Sequence, residues 1–456
     1  MAFFVLRPAP TPGPALRDFE SYYAAGATWR YESDPYGREI WRVEQHVPRV
    51  VATRDELLPF VGPPFGLPLW SALSRLAWPA AVSVWVAVLA AAVATLTFGS
   101  LRLAGRSSNA YDALAVLVVA AGFGPLTSGV ALGQVAVVAC AAIVLVPFTL
   151  RPRLLLAAFG AACVAALQPN LALVLAARLS ERRSWLAFIC AALFATGASA
   201  LALGGPAGFA HYLDVLRAHG AAERFIAIQT APAAVARALG ASASVAGASA
   251  LFLAIVVVSV LALQCRSRRY APNARLALAS AALPLALPFA HEHDFTLVFL
   301  PVIWTLRSAR GWTWIAGAVG ALAVGTDWLG LAQRPSGAAE TASLTFAAAL
   351  GCALLAPEPL RPRHFAPVAT ALAVILAATL VAAHPLPTWP DALGANFHVS
   401  ARLSVAQVWR LEQERSGITE LHAAWGWLRF ISLGGCALLW LAASIALRER
   451  APAAQS

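Results

Sequence analysis

WPAAVSVWVAVLAAAVATLTFGSLRLAGR, residues 78–106, runs for twenty-one residues to Phe98 without a charge and then meets Arg102 and Arg106. About 20 apolar residues are what a straight helix needs to cross a bilayer. Arginines placed directly after such a run resist translocation and mark the cytoplasmic end. The same pattern recurs along all 456 residues, which are 60% hydrophobic and only 12% charged, with a mean hydropathy of +0.70. A soluble core is a poor reading of that composition. The chain reads as an all-α, polytopic integral membrane protein.

Apolar runs lie near 78–98, 111–125, 133–149, 153–168, 169–178, 184–203, 244–264, 274–289, 295–307, 312–330, 341–356, 365–384 and 429–447. This predicts about thirteen spans or half-spans, the shorter ones tilted, broken or re-entrant. The net charge of +11 would suggest nucleic acid in a soluble chain, but here its distribution points to the bilayer and to no nucleic-acid partner. There is no lysine. Of the 33 arginines, 17 fall in seven alternate connections: Arg102/Arg106, Arg151/Arg153, Arg178/Arg182/Arg183, Arg266/Arg268/Arg269/Arg275, Arg307/Arg310, Arg361/Arg363 and Arg448/Arg450. The turns between them, at 126–132, 168–170, 290–294 and 331–340, hold only Arg334.

This alternation predicts a multi-pass membrane protein. Residues 1–77, 204–243 and 385–428 form three extracytoplasmic loops with interfacial helices. Spans occupy 78–203 and 244–384, and 429–456 is a last span with a cytoplasmic tail. An outward N-terminus needs a helix to carry it across, and MAFFVL at the start is too short, so a span preceding residue 1 is expected. The six cysteines are scattered singly, without disulfide or metal spacing, and read as small packing residues.

The outward segments are where a site can meet both lipid and water. In RDFESYYAAGATWRYESDPYGREIW, residues 17–41, Asp18 precedes Phe19, Tyr22, Tyr23 and Ala27 at helical spacing, which places it at an N-cap. The plain reading is a capping aspartate on an interfacial helix with its rings at headgroup level. The functional one is a carboxylate at the water–lipid boundary, its pKa raised beside aromatic rings, acting as general base on a sugar hydroxyl.

DFESYYAAGATWRYESDPY, followed by FVGPPFGLPLWSALSRL at 60–76, resembles the first outward loop of the bacterial polyprenol-phosphate-sugar-dependent glycosyltransferases of family 87. Further resemblances follow in the same order: GQVAVV at 133–138, QPNLALVLAARLSERRSW at 168–185, HYLDVLRAHGAAERFIAIQT at 211–230 and LPFAHEHDFTLVFLP at 287–301. Ala136 stands where that family often has Asn, and Gln168 where Lys is common. The resemblance implies a GT-C-like helical bundle and an inverting transfer of a sugar, such as mannose. It further implies a polyprenyl-phosphate sugar donor, a lipid- or glycan-linked acceptor, Asp18 as base, and neither metal nor cofactor.

Candidate substrate-binding residues are Tyr22 and Tyr23, together with Arg217 and Arg224 of the second outward segment, where a guanidinium offers bidentate contacts to phosphate. His219 belongs to the same group, and Gln229-Thr230 either contacts a sugar or caps the segment after it. HEHD at 291–294 contributes His291 and His293. Its alternatives are a metal set or a solvated helix-start turn capped by Asp294. Gln134 is expected to hydrogen-bond backbone or a facing span, Asp327 has no assigned role, and Trp389, Trp409 and His422 of the third segment suit either carbohydrate or a plain lid. Rival readings are a lipid-linked sugar flippase or transporter and an O-antigen ligase or polymerase. Transporters place ionisable groups at midplane, whereas here they sit at the edges.

Overall fold

The computed structural model describes residues 16–105, 109–326, 338–357, 362–382, 391–420 and 423–448. Arg106, Asp327, Arg334, Arg361, Trp389, His422 and Arg450 lie outside these. Among the described residues there are helices and a single isolated bridge pair, but no strand. The helices that position the site are α1 (Arg17–Arg30), α2 (Leu67–Leu73), α3 (Trp78–Leu103), α4 (Ala110–Gly122), α5 (Gly124–Leu132), α6 (Val135–Thr149), α7 (Arg182–Ala202), α8 (Pro206–Glu223), α9 (Ala243–Arg266), α10 (Phe299–Ser308), α11 (Gly311–Gly325), α12 (Val405–Arg415) and α13 (Ala423–Ala446).

Four of them, α3, α7, α9 and α13, are long and apolar enough to cross a membrane; the bent pair α4 and α5 makes five if counted as one span. Among the described residues this criterion leaves the expected number of about thirteen spans or half-spans unconfirmed. Several of the shorter apolar runs fold as short or broken pieces, as expected of half-spans. The run at 169–178 is four residues of α-helix and six of 3-10 helix, and 126–132, expected as a turn, belongs to α5. The reason at α4–α5 is local: Gly124-Pro125 cannot continue a helix, so the chain breaks at Phe123 and restarts with the proline in the first turn, bent by 67°.

The two ends of the bundle differ in chemistry. At one end the arginine-bearing connections meet: Arg178 donates to Asn273 (2.7 Å), Arg275 to Ser180 (3.0 Å), and Arg307 pairs with Asp112 at the start of α4 (2.7 Å). At the other, the segments holding residues 16–60, 223–230, 290–294 and 397–418 are laced together. The Asp55 amide donates to Phe397 O (2.8 Å), the Leu57 amide to Glu412 (2.8 Å) and the Ala227 amide to Ile418 O (2.8 Å).

The opening helix differs from its expectation in two ways. Asp18 is not the N-cap. Leu16, buried and in the left-handed region (φ 58°), holds that place, and Asp18 is the second helical residue. Second, two of its rings are packed inside the fold: Tyr22 stacks on Trp70 of α2 (centroids 4.9 Å apart) and Phe19 on Trp85 of α3 (5.3 Å). The close approach of α1 to α2 needs Gly26, where an added Cβ would come within 2.1 Å of the Trp70 carbonyl carbon. Backbone cannot yield as a side-chain tip can. Gly26→Ala is therefore expected to lower stability by about 2–3 kcal/mol, read as an earlier thermal midpoint of the detergent-solubilised protein.

Candidate active site

Asp18 is half-buried and held from across the fold. Gly133 (φ 78°) reverses the chain between α5 and α6 in a conformation suited to glycine, and a Cβ there would meet Leu16 and Phe19 at 2.9 Å. The Trp85 indole fixes this turn by donating to Gly133 O (2.8 Å). Gln134 is thereby aimed at α1. Its Nε2 donates to Asp18 Oδ2 (2.5 Å) and its Oε1 accepts from the Tyr22 hydroxyl (2.9 Å). The expected polar contact of Gln134 is thus made to the candidate base itself.

Asp18 keeps part of its surface accessible, yet its surroundings withhold enough water to push its carboxyl up to about 6. Burial is the main cause and the Glu223 carboxylate adds to it; the Gln134 hydrogen bond and the charges of His291 and Arg17 oppose it. A carboxylate so poised accepts a proton near neutral pH.

The HEHD turn is buried rather than solvated. It is pinned by an isolated antiparallel bridge between Gln229 and His291, by the Ala290 amide donating to Gln229 Oε1 (3.1 Å), and by the Thr230 amide donating to Ala290 O (2.8 Å). Gln229-Thr230 therefore fastens the second outward segment to this turn. Asp294 reaches back to accept the His291 amide (3.0 Å), and accepts from Gln168 (3.2 Å) and Asn170 (3.4 Å). The four side chains disperse: His291 to Glu223, Glu292 to Ser128, Asp294 to the two amides, while His293 lies with its ring stacked on that of His291 (5.5 Å). Burial pulls His293 down to about 4, helped by the neighbouring His291 charge, so it is neutral at pH 7. Burial also works against charge on His291, but contact with Glu223 outweighs it and raises His291 above the ordinary histidine value.

Glu223, which sequence reasoning passed over, is the hub of this end. It is 3% exposed and lies 3.3 Å from the Nε2 atoms of both His219 and His291. Trp409 and Gln413 of α12 also donate to it. Burial alone would raise its carboxyl, yet the two histidines hold it well below the usual range. One local signal was present: His219 and Glu223 are four apart, on one face of α8.

Of the candidates named from sequence, Asp18, Tyr22, His291 and His293 belong to one electrostatic cluster with Glu223 and Asp294. Tyr23 turns away, donating to Leu76 O (2.9 Å) against Trp78. Arg217 is on the open face, paired with Asp214 (2.6 Å), and the exposed Arg224 lies over Phe225 alongside α9. Neither arginine is brought to the cluster.

The chain is thus helical, has membrane-length helices, and holds a buried cluster of acids, imidazoles and amides among its shorter segments. The family model for glycosyltransferase family 87 matches residues 60–288, half of the chain, and the chain belongs to that family. It is a membrane glycosyltransferase. The match takes in Gln134, Arg217, Glu223 and Arg224, while Asp18, Tyr22, Tyr23, His291 and His293 lie outside it. No curated protein and no solved structure matches.

Proposed function

We propose that the chain transfers a hexose, such as mannose, from a polyprenyl-phosphate donor to a lipid- or glycan-linked acceptor on the extracytoplasmic face of a bacterial inner membrane, with inversion and with Asp18 as general base. The observation that carries this reading is the state of Asp18: partly accessible, desolvated to a pKa of about 6, and oriented by Gln134. In the reaction the acceptor hydroxyl gives its proton to Asp18 and its oxygen attacks the anomeric carbon. The bond from that carbon to the phosphate oxygen breaks, and polyprenyl phosphate leaves with the electron pair. The His291 charge stands near the developing phosphate charge, and His293 presents a neutral ring to sugar hydroxyls. Tyr22 acts by holding Gln134. Tyr23, Arg217 and Arg224 take no part in this reading. The placing of ionisable groups towards the edges of the bundle rather than at midplane favours it over transport.

Membranes containing the protein, given radiolabelled sugar on polyprenyl phosphate, are expected to move label to an endogenous lipid or glycan. Transfer from a polyprenyl pyrophosphate sugar and none from the monophosphate would overturn the donor assignment. The base must be ionised, so the rate should climb as pH rises through about 6 and fall roughly tenfold per unit well below it. A flat profile between pH 5 and 7 would rule out a base with the properties of Asp18.

A further inference from the structure

Sugar transfer with Asp18 as base leaves Glu223 without a part, although it is the most heavily engaged side chain at this end. A carboxylate taken out of water is costly unless its lone pairs are met. Those of Glu223 are met by His219 (3.3 Å), His291 (3.3 Å), Gln229 (3.5 Å), Trp409 and Gln413 (3.4 Å). These partners come from its own helix, the bridge-forming residues after it, the HEHD turn and α12. One carboxylate therefore orients the imidazole that faces Asp18 and also seats the third outward segment.

We propose that Glu223 is a positioning residue for sugar transfer, anchoring the His291 ring within electrostatic reach of Asp18 and drawing Trp409 to the same point. This rests on Asp18 as the base. The charges that bear on the arrangement are few. His291 faces Glu223, Asp294 and Asp18, with neutral His293 stacked on it; Glu223 faces His219 and His291. Asp18 faces Arg17, His291 and Glu223, with Glu20 on its own helix. The His291 cation eases ionisation of Asp18 more than Glu223 hinders it. Glu223 keeps that cation charged, so it acts on the base through the histidine.

The test is the pH profile of label transfer, whose midpoint does not depend on how much enzyme folds. His291→Gln removes the cation and leaves Glu223 charged, so its acidic limb should move furthest to higher pH. Glu223→Gln loses the support for the cation and also a repelling charge, so its limb should move up less, by about 0.5 pH unit, equivalent to a roughly threefold further loss of rate at pH 5.5. The double variant should lie close to Glu223→Gln alone, because the largest support for the histidine charge is already gone there. Glu223→Asp, which keeps the charge, should return the limb towards the wild-type position. Trp409→Phe should lower transfer with the limb in place. A Glu223→Gln limb at the wild-type midpoint, with only the amplitude reduced, would leave Glu223 a merely structural group and overturn the proposal. Full activity in Asp18→Asn would instead sink the base assignment beneath it.

Discussion

Asp18→Asn is expected to cut sugar transfer by about 10²–10⁴-fold, the usual contribution of a positioned general base. The substitution keeps size and shape, and the Asn amide oxygen can still accept from Gln134 Nε2. Packing of Phe19 against Trp85 and of Tyr22 against Trp70 does not involve the carboxylate, so the variant should accumulate in membranes as the wild type does. What it loses is the site for the acceptor proton. The deficit should therefore fall on kcat, with the donor KM little changed. Initial rates at matched protein content decide the matter, and undiminished transfer would remove Asp18 as the base.

Glu56→Ala should have the largest effect on stability. Glu56, 2% exposed, receives Arg17 at the start of α1 and Arg54, whose Nε is 2.7 Å away. Arg17 also reaches Glu20 (2.7 Å), whose carboxyl burial pushes up against the pull of Arg17. Glu56 thus accepts from two largely buried guanidinium groups at once. Removing one partner of a buried pair costs about 3–5 kcal/mol, because the other is left without compensation. The expected result is a sharply lower thermal midpoint and little protein recovered from detergent. Glu56→Gln, which retains hydrogen-bond acceptance, should fall between. Wild-type stability in the alanine variant would show that solvent or other groups satisfy both arginines.

Much of the membrane character was legible because it is written in contiguous stretches: α3, α7, α9 and α13 follow from apolar run length. Apolar run length does not by itself fix the tally of spans, since it fixes burial but not helical continuity, and prolines and glycines such as Pro125, Pro169 and Gly133 divide runs into bent or 3-10 pieces. Asp18 was found by its acidic type in an aromatic setting, yet its capping role was misjudged because Leu16 adopts a left-handed conformation that its side chain gives no reason to expect. The partners that define the site are remote in the chain. Gln134 lies 116 residues from Asp18 and Trp409 lies 186 from Glu223. Local periodicity carries no information about such pairs. The outward arginines show the opposite failure: chemically apt for phosphate, Arg217 and Arg224 sit on faces that turn from the cluster.

The dependence of Glu223 on Trp409 and Gln413 has a consequence for biogenesis. A nascent chain emerges from its N-terminus, so the carboxylate is in place long before the helix that covers it has been synthesised. Until that helix arrives, water must solvate a group whose final environment is dry. The dry surroundings of Glu223 are therefore completed only once α12 has been synthesised.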